Sequence, residues 1–390
     1  MKKKYSAFLT AGCLSILIFS LSCQKEKALW KGKIEKENGV MVVKNPDEPI
    51  SKDNILFLEE DLTIKGGDIE NEERMFRDVR TLDVDEAGNI YVLDEAAGNV
   101  KIFDKNGEFL RSFGKKGQGP GETQLPISLV ITPQREILIN DMFRRALLFF
   151  DLEGRYLRQV SIADQFLFFG PMMTSRGEMI ACRTIPGEAP VTELVKLTAD
   201  LKPLVTYASI PGEKPPAINI FTAQSLTNLR WIVTPEDEII WNDTANPKYE
   251  LNICRGDGKL IKKIIREYSA VALTSAERDK LMDKVFKDPE ARQQWDVKFP
   301  NSYPPISGLS CDDEGRIFAK RYSAVGREEA GEYYDIFDEQ GRYIAEILLQ
   351  IAPMVMKKGN LYTIVEDEAG LKAVKRYKMN WTPGPVGKIS

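Results

Sequence analysis

The chain has 390 residues, a formal charge of −4 from 54 basic and 58 acidic side chains, and no histidine. Without imidazole, Ser-His-Asp and Cys-His nucleophile systems and histidine metal sites are excluded, and the acidic balance argues against a general nucleic-acid binder. Only Cys182, Cys254 and Cys311 lie in the body of the chain; three scattered cysteines make no disulfide framework, and a chain of this size buries enough core without one.

Lys2, Lys3 and Lys4, the apolar run from Ala7 to Leu21 and the small Ser22 read as a signal peptide over residues 1–22. The run is short for a membrane-spanning helix. Leu21-Ser22-Cys23 resembles the lipobox of bacterial lipoproteins, which implies cleavage before Cys23 and acylation of its sulfur. Two or more acyl chains give stable anchoring, so residues 23–29 are expected to be a lipidated tether. Loss of the three leader lysines leaves a mature charge of −7. Next, Trp30 to Glu37 and Val40 to Lys44 flank Asn38-Gly39, a strong two-residue hairpin signal.

A repeated unit then dominates the sequence. Short strand-like runs that follow a turn begin at Gly88, Arg135, Gly177, Asp237, Gly315 and Gly359, at spacings of 47, 42, 60, 78 and 44 residues. A unit of about four strands recurring six times, twice enlarged by insertions, predicts an all-β, six-bladed β-propeller over residues 30–380. In the first unit Val79 to Asp85, Asn89 to Asp94, Asn99 to Asp104 and Glu108 to Phe113 are the four strands, rich in β-branched and aromatic residues. Asp85-Glu-Ala-Gly88 and Asp104-Lys-Asn-Gly107 are the turns between them, and the second recurs at Asp151 to Gly154 and Asp338 to Gly341. Gly114 to Gly121 lacks the helix and lysine-serine ending of a phosphate loop and reads as an interblade linker.

The last unit, Pro353 to Met379, supplies only three strands. The strand Ile55 to Ile64 is expected to complete it, so that no sheet edge is left open. The upstream hairpin is expected outside this closing blade or beneath the ring, and residues 381–390 form a tail.

Gly88-Asn-Ile-Tyr-Val-Leu-Asp94, Val100-Lys-Ile-Phe-Asp104, Phe109-Leu-Arg-Ser-Phe-Gly114 and Gly117-Gln-Gly-Pro-Gly-Glu122 resemble the NHL-repeat six-bladed propellers of bacterial lipoproteins. The likeness covers nearly all of the mature chain and is strongest in the first two units. It implies the fold. It does not imply one function, since such propellers serve as scaffolds, ligand binders and, in related branches, metal-dependent lyases or lactonases.

Connections from a second to a third strand, and from an outer strand to the next blade, emerge on one face of a propeller. Both insertions, 211–228 and 269–305, are of the latter kind, and long ordered loops gathered on one face carry binding function. Thr274-Ser-Ala-Glu277 has capping-box spacing and Leu281, Met282, Val285 and Phe286 form an apolar stripe, so a small helical insertion is expected between blades 4 and 5, with a second short helix at Asp288-Pro289. It is either a lid in which Trp295, Phe299 and Tyr303 stack on a ligand, or a module those residues anchor.

The ends of the second strands give a second candidate site. Asp94, Asp141, Arg183, Asp243 and Arg321 occupy equivalent positions in five blades. Such a ring can bind a charged ligand, or Asp94, Asp141 and Asp243, with Asn140 and Asn242, can hold calcium; alternatively the aspartates bond to loop amides and the arginines pair with acids. Two functions follow. The first is a non-enzymatic, lipid-anchored propeller of the outer membrane or cell surface, without cofactor, that presents its top face to an envelope protein or small extracellular ligand. The second is a calcium-dependent lactonase- or lyase-like enzyme.

Overall fold

The computed structural model describes residues 30–67, 73–162, 166–167, 170–225, 227–322 and 331–382. The leader, Cys23, the tether through residue 29 and residues 383–390 of the expected tail lie outside the described residues.

In blade 1 the strands Val79–Val84, Ile90–Asp94, Asn99–Phe103 and Phe109–Phe113 run from the innermost to the outermost position in an antiparallel sheet. Side chains alternate across a strand, and here both faces are covered. Ile90 and Val92 pack towards blade 6, whereas Tyr91 and Leu93 pack towards blade 2. The same division recurs around the disc. Leu138 and Leu147 of blade 2 meet Ala181 and Val195 of blade 3. Cys182 and Leu194 of blade 3 meet Leu229 and Ile239 of blade 4. Ile240 and Leu251 of blade 4 meet Ile317 and Phe337 of blade 5, and Phe318 and Ile336 of blade 5 meet Leu56 and Leu361 of blade 6. Each core lies between two sheets, and the succession returns to its start, which makes the molecule a six-bladed propeller.

The turns behave as their residues require. Asp85 accepts hydrogen bonds from the backbone and side chain of Asn89, at 2.8 and 2.9 Å, and Gly88 has φ +88°. Asp104 and Gly107, with φ +85°, repeat the arrangement between the outer strands. A side chain at either glycine would have to occupy the left-handed region.

Closure also follows the sequence. Leu56–Lys65 pairs antiparallel with Lys372–Trp381 and completes blade 6, whose other strands are Val355–Lys357 and Asn360–Glu366. The hairpin is a correction. Lys33–Glu37 and Val40–Asn45 turn at Asn38 and Gly39, both with positive φ, but they extend blade 4, with Met41–Asn45 running parallel to Lys262–Arg266. Val42 and Val43 are buried there, and Asn45 fixes the position: its side chain accepts from the amide of Tyr343 at 2.7 Å and donates to the carbonyl of Gly341 at 2.9 Å. From there Ile50 and Ser51 bond to Tyr343 and Ile344 of blade 5 before the chain enters blade 6. The N-terminal segment is therefore a belt around the rims of three blades.

Candidate functional site

The two insertions fold together. Ala217–Asn219, from the first, pairs in parallel with Asp296–Lys298 from the second. The helix Ile220–Ser225 packs beside Ser275–Val285, whose N-terminus is closed by the Thr274 and Glu277 capping box, and Pro289–Gln293 is the expected second helix. Ile220, Phe221, Leu273, Leu281, Met282 and Tyr303 form their own core. Phe221 lies 5.8 Å from Tyr303 and 4.9 Å from Tyr322 between ring centroids, and Tyr322 directly follows the second strand of blade 5. The joint module thus caps the face where the second strands end, above the junction of blades 3, 4 and 5. Tyr303 is buried, Phe299 is partly buried beneath the Arg278 guanidinium, and Trp295 is 40 % exposed. Two of these aromatic residues hold the cap together, and the third faces outward.

On the same face, the five charged residues at the strand ends make internal bonds. Asp94 is fully buried and accepts the amides of Arg77, Asp78 and Ala97 at 2.8, 3.0 and 3.1 Å, while Lys101 lies 3.1 Å away. Burial raises its carboxyl, but those amides and the Lys101 charge prevail and hold it below the ordinary aspartate range. Asp141 repeats the pattern with the amides of Gln124, Leu125 and Arg144. In both blades the aspartate latches the incoming connection to the end of the second strand. Arg183 donates twice to Glu193, at 3.0 and 2.7 Å, and Arg321 bonds Glu346 at 2.5 Å.

Asp243 departs from this pattern. Its carboxylate accepts one backbone bond, from Ala245 at 2.9 Å, and the incoming chain is held instead by Thr244, which bonds the Asn228 carbonyl. Burial pushes its carboxyl above the usual range. The three aspartates do not converge, and no group of three potential ligand side chains occurs among the described residues. Asn140, buried opposite Ser128 on the neighbouring strand, has no hydrogen-bond partner for either side-chain polar atom, and Asn242 donates to the Glu250 carbonyl. The cysteines are not poised as nucleophiles: burial pushes the Cys182 thiol up to about 11 and that of Cys311 up to about 12.

Several features escaped the sequence reading. On the opposite face a cleft of about 500 Å³ opens between blades 3 and 4, lined by Glu178, Lys196, Glu236, Asp237, Arg255 and Asp257. Its charges partly neutralise one another, through Lys196 with Glu178 and Arg255 with Asp257, both at 2.7 Å. Between blades 4 and 5, buried Asp335 accepts the hydroxyls of Tyr249 and Tyr343 at 2.8 Å and pairs with Arg266 at 3.1 Å. Arg230 joins the inner strands of the same two blades through the carbonyls of Leu229 and Ser307. No spacing in the sequence links these residues. Only the radial order of the sheets brings them together.

Residues 71–183 match a family described as a 6-bladed beta-propeller. No curated protein matches the chain by sequence. A protein from Bacteroides fragilis described as exported is similar in structure at 12 % identity and a TM-score of 0.53, over 87 % of this chain and 99 % of that one. A member of the DUF4221 family from Bacteroides vulgatus gives 11 % identity and a TM-score of 0.47, over 85 % and 100 %. Virginiamycin B lyase from Staphylococcus aureus gives 8 % and 0.40, over 83 % and 99 %. At 12 % identity the likeness to the Bacteroides fragilis protein carries the fold alone.

Proposed function

We propose that this chain is a lipid-anchored binding propeller of the cell envelope, joined to the membrane through Cys23, which presents its capped face to a protein partner or small extracellular ligand and carries out no reaction there. The observation that supports this reading most strongly is the internal bonding of the strand-end charges. Carboxylates already engaged by backbone amides, as in Asp94 and Asp141, are poor candidates for a catalytic base or a metal ligand. What the face offers instead is relief: a folded cap of two insertions, with Trp295 on its outer side. Rigid loops on a propeller face are well suited to recognition. The lipobox-like sequence supports export and anchoring, and the exported protein from Bacteroides fragilis accords with it.

The test is a photo-crosslinking amino acid at Trp295, compared with one at Leu110 on the outer strand of blade 1, in envelopes of the producing cell. A discrete adduct from the cap position alone is expected. Adducts of equal yield from both positions, or from neither, would contradict the assignment.

Asp243 favours a second reading. A carboxylate with one amide partner and a raised pKa is the kind of group that a calcium-dependent lactonase or lyase uses as ligand or base.

A further inference from the structure

On the reading that Cys23 is lipidated, we propose that the outer rim of blade 4, formed by the hairpin and Leu260–Arg266, lies against anionic lipid headgroups. The disc then stands on edge at the membrane, with both faces open to solvent.

Chain length is the first reason. The indole of Trp30 donates to Asn45 at 2.9 Å and lies over Gly32, where a Cβ would come within 2.4 Å of the ring. Trp30 is thus fixed to the hairpin. Cys23 precedes it by seven residues, which span about 25 Å at full extension. Because the hairpin is the outermost pair of a six-stranded sheet, the anchor joins the protein at this rim.

Charge is the second. The whole chain is acidic, yet residues 30–45 hold four lysines against two glutamates, and residues 259–265 hold Lys259, Lys262 and Lys263 with no acid; Arg266 is buried against Asp335 and adds nothing to this surface. Lys33 pairs with Glu35, Lys44 with Glu35 and Glu37, and Lys263 with Glu250, whereas exposed Lys36 and Lys259 make no ion pair among the described residues and exposed Lys31 interacts with Glu48 without a close ion pair. Apolar surface accompanies the charge: Ile34 is 50 % and Met41 43 % exposed, and with Ile261 they line a hollow of about 370 Å³. Basic side chains around a small apolar patch match the boundary of an anionic bilayer, where headgroups attract lysine and the apolar groups enter the acyl edge. Edge lysines also discourage strand-to-strand aggregation, a role that needs no lipid.

The test uses the unlipidated chain from residue 24 onward, with vesicles of phosphatidylglycerol or of phosphatidylcholine. Salt-sensitive binding to the phosphatidylglycerol vesicles is expected, and K31E/K36E/K259E should weaken it by about tenfold or more with an unchanged unfolding midpoint. A fluorophore on Lys36→Cys should be quenched by a lipid-borne quencher, and one on Leu110→Cys should not. Binding indifferent to the triple substitution, or equal quenching at both positions, would overturn the proposal. The lipidation premise is read separately: Cys23→Ser should release the protein from the membrane fraction of cells, and retention would refute the anchor whatever the vesicles show.

Discussion

Asp94 and Asp243 occupy one position in two blades and are held oppositely. Asp94 has three amides and a buried lysine. Asp94→Ala leaves Lys101 buried without its counter-ion and should cost about 3–5 kcal/mol in denaturant unfolding. Adding Lys101→Met should recover part of that loss; full additivity of the two losses would refute the coupling. Because the Asp94 carboxyl is depressed in the folded protein, its contribution is present above the unfolded-state pKa and fades as pH falls through the folded value. Asp243 has the opposite sign. A carboxyl raised by burial stabilises the fold while protonated and loses that contribution as pH rises through its folded value. Asp243→Asn should therefore raise the unfolding midpoint at neutral pH, with the gain shrinking below about pH 4. A lower midpoint at neutral pH would show that the ionised form is held by something stronger than the Ala245 amide.

Elements were legible in the sequence where one strand or turn suffices to specify them. Asn38-Gly39, Asp85 to Gly88 and the Thr274 capping box appear where their chemistry requires, because each is settled within a few residues. Contacts between distant elements were not legible. The hairpin joins blade 4 because Asn45 finds Gly341 and Tyr343 nearly three hundred residues away. The cap is one module because two insertions pair over three residues and share an apolar core. Phe221→Ala should destabilise that module by about 3–5 kcal/mol. In hydrogen exchange, Ala217–Asn219 and Ser275–Val285 should lose protection while the inner strand Leu229–Val233 keeps it. Loss spreading equally into that strand would mean that cap and ring unfold as one.

At the scale of the molecule, six repeats predict the ring, and a missing fourth strand in the last unit predicts that Ile55 to Ile64 closes it, which the observed strand Leu56–Lys65 does. The ring of strand-end charges was legible as positions but not as chemistry. Whether an aspartate faces a ligand or a backbone amide depends on the connection that passes above it, and that connection belongs to the preceding blade. Asp94 and Asp141 have such amides, while Asp243 lies where an insertion re-routes the chain. Under the proposed function, internal bonds take up the strand-end charges of Asp94, Asp141, Arg183 and Arg321, and the capped face serves binding without metal chemistry. Calorimetric titration of the chelator-treated protein with calcium tests it most directly. No saturable heat is expected, and the unfolding midpoint should be the same with calcium as with chelator. One ion per chain, a midpoint raised by several degrees, and loss of both in Asp243→Asn would contradict it.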